Sequence, residues 1–229
     1  MNLIFHGQSC IEIRFKEHAI IIDPFLRHNP KAIVKPEDIK VSYILVTHGH
    51  NDHLGDSLEI AERNQATIIA PNDLCRYLAF QGAKTHPMGI GGSFEFPFGK
   101  IKMTLALHDS SYNPPGTQES IYAGMASGFL IQAEGKTIYH AGDTGLFGDM
   151  QLIGNLHNID LAFLPIGDNF TMGPSDAVIA ARFLQAKMVI PMHYDTFPLI
   201  EQDPHAFVES LSAEGIKGQV MEPGQSLEF

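Results

Sequence analysis

Short apolar runs, separated by turn-forming residues, dominate the sequence. Residues 2–5, 10–15 and 18–23 predict three short strands at the start of the chain. Apolar residues alternate with others in 100–108, which predicts a strand with one buried face, and 127–144 predicts a hairpin that turns at Glu134-Gly135. More continuous apolar runs predict buried strands at 41–48, 67–71, 159–167 and 186–193, and two short strands finish the chain.

Four segments have the pattern of helices, and each follows a predicted buried strand. They are 56–65, 72–81, 174–185 and 203–215. Asp56, Ser175 and Asp203 are the predicted N-caps, and Gly82 and Gly215 the predicted ends of the second and fourth helices.

The distribution of these elements indicates an α/β fold. Strands dominate the first part and the middle, and too many lack an intervening helix for a singly wound parallel sheet. Two sheets packed face to face, with helices on their outer faces, fit this mixture. The length of 229 residues fits one domain over residues 1–229 better than two small ones.

Composition and charge narrow the class of protein. Hydrophobic residues make up 44 % and charged residues 18 %, which allows a large core. Apolar runs are too short to cross a bilayer and the N-terminus lacks the pattern of a signal peptide, so we expect a cytoplasmic protein without a membrane segment. The net charge of -11 argues against a nucleic-acid partner. Cys10 and Cys75 do not make a disulfide framework and are expected to be buried.

The segment VTHGHNDHLGD, residues 46–56, contains the clearest chemical signal. His48, His50, Asp52 and His53 fall within six positions directly after a predicted buried strand. Imidazole and carboxylate groups bind zinc, manganese or iron, and the nitrogen content favours zinc. A polar loop with scattered histidines is the alternative, and the density of ligand-type residues makes it improbable.

Three further predicted strands end in a ligand-type residue, namely His108, Asp143 and His193. Strand ends at one edge of a sheet would bring them to the same place. The ligands then divide between two ions, with Asp143 as a bridge. His48, His50 and His108 serve the first ion, and Asp52, His53 and His193 the second.

These motifs resemble the metallo-β-lactamase superfamily. THGHNDH matches its H-x-H-x-D-H pattern in full, and His108, GDT with Asp143 and PMHYDT with His193 match its other motifs. FHGQSCIEI, IIIDPF and YHAGDTGLF resemble its small metal-dependent hydrolases, similar to the ascorbate-6-phosphate lactonases. The resemblance implies a four-layer αββα sandwich with two mixed sheets, a two-metal site at one edge and hydrolysis.

The resulting hypothesis is a hydrolase with a metal-bridging hydroxide that acts on a small lactone or ester. Asp52 is the candidate catalytic residue, because it can orient the hydroxide or relay its proton while it binds a metal. A phosphodiesterase or nuclease is the second hypothesis, and a non-catalytic metal-binding protein the third. A small-molecule substrate is the expected partner, and a homo-oligomer is possible.

Other residues stay open at this stage. His6 either approaches the site or ends a strand, His140 supports a ligand or is structural, and Tyr194 orients a ligand, faces substrate or has no role in the site. The loops 109–125 and 165–174 are candidate walls for the substrate.

Overall fold

Two sheets form the centre of the structure. A computed structural model describes residues 1–114 and 116–229, so Pro115 of the predicted loop 109–125 lies outside the described part. The first sheet contains β1 (Asn2–Phe5), β2 (Ile11–Arg14), β3 (Ala19–Ile22), β4 (Tyr43–Leu45), β5 (Thr67–Pro71), β6 (Thr85–Met88) and β16 (Ser226–Glu228). Its strand order is β16-β1-β2-β3-β4-β5-β6.

The second sheet contains β7 (Ser93–Phe96), β8 (Gly99–Leu105), β11 (Ser127–Ala133), β12 (Lys136–His140), β13 (Leu161–Pro165), β14 (Met188–Met192) and β15 (Lys217–Gly218). Its strand order is β15-β14-β13-β12-β11-β8-β7. A small ribbon pairs β9 (Ser111–Tyr112) with β10 (Ile121–Tyr122). Both large sheets are mixed, because β3 to β6 and β12 to β15 are parallel while the other pairs are antiparallel.

Helices cover the outer face of each sheet. They are α1 (Asn51–Leu54), α2 (Ser57–Asn64), α3 (Asn72–Phe80), α4 (Met150–Leu156), α5 (Pro174–Leu184) and α6 (Pro204–Ala213). α2 and α3 pack on β4 to β6, whereas α5 packs on β13 and α6 on β15. Within the described residues, no helix has the length and apolarity needed to cross a membrane. The prediction of two mixed sheets face to face between helices is confirmed.

The pleat of the strands explains this layering. In β3, Ile20 and Ile22 enter the core between the sheets, while Ile21 enters the core under the helices. Leu45 and Ile44 divide in the same way in β4. Successive side chains of a strand point to opposite faces, so a strand buried on both faces has a continuous apolar run.

Several predicted details hold and others are wrong. The hairpin turns at Glu134-Gly135, and Asp203 caps α6 by accepting from the His205 and Ala206 amides. Ser175 does not cap α5, because the helix begins at Pro174 with Gly173 at the N-cap position. Asp56 precedes α2, but its carboxylate accepts from the Leu26 and Arg27 amides instead of capping the helix.

Candidate metal centre

The seven predicted ligands meet at one edge of the sandwich. His48 and His50 lie in the turn between β4 and α1, Asp52 and His53 lie in α1, and the other three follow β8, β12 and β14. β12 and β14 run parallel to each other, so their carboxyl ends share an edge. A side chain at Gly49 would come within 2.6 Å of the Ser111 carbonyl oxygen, which accounts for glycine between His48 and His50.

Three histidine rings converge in what we call the three-histidine group, His48, His50 and His108. The Nε2 atom of His48 lies 3.0 Å from Nδ1 of His50, and Nε2 of His108 lies 3.4 Å from the same atom. Ligands at about 2.0–2.1 Å around a tetrahedral zinc are roughly 3.3 Å apart. The spacing of these nitrogens therefore fits three ligands of one metal ion.

The aspartate-histidine group consists of Asp52, His53 and His193. The Oδ2 atom of Asp52 lies 3.6 Å from Nε2 of His53 and 3.5 Å from Nε2 of His193. Both histidine side chains are almost fully buried, while the Asp52 side chain is 28 % exposed. This group thus offers two buried nitrogens and a carboxylate that reaches solvent.

Asp143 lies between the two groups. Its Oδ2 atom is 3.2 Å from Nε2 of His53, 3.0 Å from Nε2 of His193 and 3.8 Å from Nε2 of His108. Within the described residues, Oδ1 of Asp143 and both Nε2 atoms of His53 and His193 are buried without a hydrogen-bond partner. Buried polar atoms without partners are costly, and a bound cation would satisfy them. The residues present therefore fit divalent cations.

Burial and neighbouring charges have opposing effects on the pKa values of the site residues. Burial alone would raise the pKa of Asp143, but His193 and His53 hold it well below its usual range. Burial lowers the pKa of His193, yet Asp143 and Asp52 outweigh that effect and raise it to about 9. The pKa of His53 is likewise well above its ordinary value, because Asp143, Asp52 and Asp23 outweigh burial. Burial keeps the pKa values of His48 and His108 below the ordinary value.

Asp23, at the end of β3, supports the site and was not among the predicted residues. Its fully buried carboxylate accepts from the Thr47 amide at 2.8 Å and the Thr47 hydroxyl at 2.7 Å, and lies 2.8 Å from Nδ1 of His53. That third contact favours a proton on Nδ1 and leaves Nε2 of His53 directed at the site. The segment IIIDPF carried the same signal, an apolar strand that ends in a ligand-type residue.

The structure gives the surroundings of the three residues whose roles the sequence left undecided. His6 is buried, with Nε2 3.0 Å from the Glu12 carboxylate. The His140 ring lies between the Ser9 carbonyl oxygen at 2.9 Å and the Gly142 amide at 3.2 Å. Neither belongs to the groups of converging ligand atoms among the described residues. Tyr194 is partly buried and packs against the core between the sheets.

A cavity of about 500 Å³ opens above the two groups. Three aromatic side chains form part of its wall, Phe25, Phe170 and Phe197, and two of the predicted loops contribute Phe170 and Asp109. No lysine or arginine belongs to the lining that the structure describes. The remaining lining residues are His50, Asn51, Asp52, His108, Asp143 and His193.

Known proteins are similar to this chain in sequence and fold. A family model described as a beta-lactamase superfamily domain matches residues 18–194. A UPF0173 metal-dependent hydrolase of Bacillus licheniformis is 56 % identical over 229 residues, with all of both chains covered. The solved structure of Igni18, a metallo hydrolase of the archaeon Ignicoccus hospitalis, is similar with a TM-score of 0.90 and 35 % identity, covering 100 % of this chain and 98 % of that one.

A further solved structure is more distant. The isothiocyanate hydrolase from Delia radicum gut bacteria has a TM-score of 0.79 at 19 % identity, covering 100 % of this chain and 99 % of that one, which shows the fold alone. The matched residues and the 56 % identical relative place this chain in the beta-lactamase superfamily. Within that superfamily it is a metal-dependent hydrolase, as the sequence motifs predicted.

Uptake of Zn²⁺ by the aspartate-histidine group is expected to release protons at pH 7.5. His193, whose pKa is about 9, carries a proton there and must lose it to bind a metal. Its affinity for Zn²⁺ should rise about tenfold per pH unit for each proton released, until the pH passes that pKa. Zinc titrations by calorimetry in two buffers of different ionisation enthalpy measure this release.

The same raised pKa affects the stability of the metal-free protein with a defined sign. His193 stabilises the fold below its unfolded pKa of roughly 6.5, and this contribution is lost as the pH rises through about 9.

In the zinc titration, the three-histidine group is the internal control. His48 and His108 have lowered pKa values, so this group should release few protons when it binds zinc. Zinc affinity independent of pH between 6.5 and 9 would contradict the prediction.

Proposed function

We propose that the protein hydrolyses small neutral lactones or esters and uses two divalent cations for the reaction. The observation that carries this proposal is the cavity, in which buried histidines and carboxylates lie beneath an aromatic wall. The three-histidine group would hold one cation and the aspartate-histidine group the other, with Asp143 between them. Nitrogen ligands favour zinc, and the bridging carboxylate also suits manganese or iron.

Bound divalent cations supply a hydroxide from water near neutral pH and a positive charge for the oxygen that becomes negative. The protein contributes the orientation of its own groups. Asp52 is the residue proposed to accept the proton of the attacking water, because its carboxylate lines the cavity and is partly exposed. Asp23 and the buried surroundings hold the His53 ring in a single orientation.

The wall of the cavity supports a neutral substrate with an apolar substituent. Phe25 and Phe197 have ring centroids 6.3 Å apart, and Phe170 is 52 % exposed, so apolar surface is available to a ligand. Apart from the two cations, the described lining offers an anionic substrate no lysine or arginine, and Asp109 adds a negative charge beside it. This argues against the alternative of a phosphodiesterase or nuclease, as does the net charge of -11.

The test is a comparison of substrates with the zinc-loaded protein. We expect turnover of γ-lactones and of p-nitrophenyl acetate and hexanoate, with kcat/KM at least about 100-fold above that for bis-p-nitrophenyl phosphate. An aryl isothiocyanate belongs in the panel, because a fold relative hydrolyses that class of compound. Preferred turnover of the phosphodiester would overturn the proposal, and so would a lack of turnover of lactones and esters in the presence of two bound cations.

A variant of the aromatic wall tests the substrate class. Phe170→Ser removes a partly exposed ring and should lower the preference for hexanoate over acetate about tenfold, through lost apolar contact. Phe80→Ser is the matched control, because Phe80 is 80 % exposed at the end of α3 and does not line the cavity. Equal preferences in both variants would show that the wall does not bind the substituent.

A further inference from the structure

The turn between β1 and β2 passes beside the candidate metal centre. Its shape is fixed by backbone hydrogen bonds from the His6 amide to the Cys10 carbonyl oxygen at 2.9 Å and from the Cys10 amide to the Gly7 carbonyl oxygen at 3.0 Å. Gln8 occupies the turn with φ of +55°, a left-handed conformation that is uncommon outside glycine. Its side chain is nevertheless buried, with 1 % of the residue exposed.

Gln8 contacts two members of the aspartate-histidine group. The side-chain Nε2 atom of Gln8 donates to Oδ2 of Asp52 at 2.8 Å, and its backbone carbonyl oxygen accepts from the His193 backbone amide at 2.9 Å. His193 also has a left-handed backbone, with φ of +54°. One residue of the turn between β1 and β2 thereby contacts both the Asp52 side chain and the left-handed backbone of His193.

The chemistry of the contact fixes its direction. An ionised aspartate only accepts hydrogen bonds, so the amide nitrogen of Gln8 must face Asp52. The oxygen that accepts, Oδ2, is also the one within 3.6 Å of His53 Nε2 and 3.5 Å of His193 Nε2. One lone pair of Oδ2 then takes the Gln8 N–H and leaves another for a cation.

The second carboxylate oxygen of Asp52, Oδ1, is not held by Gln8. Oδ1 accepts from no protein donor among the described residues, and the Asp52 side chain lines the cavity. A carboxylate held through Oδ2 alone cannot turn about its χ2 angle without losing the Gln8 bond. The contact therefore gives the two oxygens of Asp52 different surroundings, with Oδ2 directed at the cation position and Oδ1 free to contact water in the cavity.

We propose that Gln8 is a positioning residue, which aims Oδ2 of Asp52 at the second cation and leaves Oδ1 to accept the proton of the attacking water. This inference rests on the proposed two-cation site. Supporting residues of this kind change metal affinity or activity by about 10- to 100-fold when they are removed. The three-histidine group makes no hydrogen bond to Gln8 in the part of the chain that the structure describes.

Two variants test the proposal by different routes. Gln8→Met keeps the length of the side chain and removes the N–H donor, whereas Gln8→Asn keeps the amide but shortens its reach. For both, titration with Zn²⁺ alone should give a first equivalent bound within twofold of the wild-type affinity. The second equivalent should bind about 10- to 100-fold more weakly.

Kinetics of the same variants separate positioning from a general structural role. With saturating Zn²⁺ and p-nitrophenyl acetate, kcat should fall about tenfold or more while KM stays within threefold, because the substrate wall is untouched. Gln65→Met is the matched control, since Gln65 also has a left-handed backbone, with φ of +54°, but lies at the exposed end of α2. It should bind both equivalents and turn over as the wild type does.

The outcomes distinguish this inference from the proposed function. If the wild type binds two equivalents and either folded Gln8 variant binds both with unchanged affinity and kcat, the role of Gln8 is wrong and the function stands. Equal weakening of both equivalents would also overturn it, because that result indicates general destabilisation. If the wild type binds only one equivalent, the two-cation site fails and the role of Gln8 falls with it.

Discussion

Replacement of Asp143 by Asn is expected to lower turnover about 10³-fold or more, the largest effect of any single substitution considered. Asp143 is 3 % exposed, and its Oδ2 atom lies within 3.2 Å of ring nitrogens of both His53 and His193. The substitution keeps the volume and removes the charge shared by the two proposed cations. Removing even one preorganised donor from a transition state costs about 10²–10³-fold, and a bridging ligand affects both cations.

Metal content and steady-state rates measured on the same preparation check this prediction. Asp149→Asn is the control, since Asp149 is an exposed aspartate that precedes α4 a few residues further along the chain. It should retain wild-type zinc content and turnover. An Asp143→Asn variant with two bound zinc ions and near-wild-type turnover would show that Asp143 is not a ligand.

Replacement of Asp23 by Ala is expected to lower the free energy of unfolding of the metal-free protein by about 3–5 kcal/mol. The change leaves the Thr47 amide and hydroxyl and the His53 ring without their buried partner. Asp23 also has a left-handed backbone, with φ of +47°, which alanine tolerates less well than aspartate. Denaturant unfolding of the metal-free protein measures the difference.

Asp23→Asn separates stability from metal binding. Asparagine can still accept from the Thr47 amide, so the loss of stability should be smaller, but it removes the charge beside Nδ1 of His53. Zinc affinity of the aspartate-histidine group should then fall about 10- to 100-fold. Asp160→Asn is the control, because Asp160 also accepts from a backbone amide, that of Thr137, at the other end of β12. Wild-type zinc affinity in Asp23→Asn would contradict the assigned role.

The sequence predicts the centre of the fold better than its margins. Runs such as TIIAP and MVIPM are apolar because both faces of the strand are buried, and both are strands in the structure. β6 and β7 were not predicted, since the edge strands THPM and SFEF have only four residues each and bury little. α4 was missed because Gly154 and Asn155 interrupt its apolar positions.

The candidate site shows the same contrast between local and distant information. His48, His50, Asp52 and His53 are close in the sequence, and the strand-end pattern led to His108, Asp143 and His193, which the structure brings to them. Their role as ligands stays a prediction. The contact from Gln8 to Asp52 spans 44 positions and depends on a side-chain direction that no local pattern specifies. Asp23 was visible as the strand end in IIIDPF, but its contacts with Thr47 and His53 depend on the packed structure.

The two candidate ligand groups draw on both sheets of the sandwich. His48, His50, Asp52 and His53 follow a strand of the first sheet, whereas His108, Asp143 and His193 follow strands of the second. A cation bound by residues of both sheets would link the sheets, and its full set of ligands exists only after the sheets have packed together. Folding and metal loading are then thermodynamically linked, and free cation at 100 times its Kd adds about 2.7 kcal/mol of stability. The concentration of free metal would thus set the folded fraction of the chain as well as its rate of turnover.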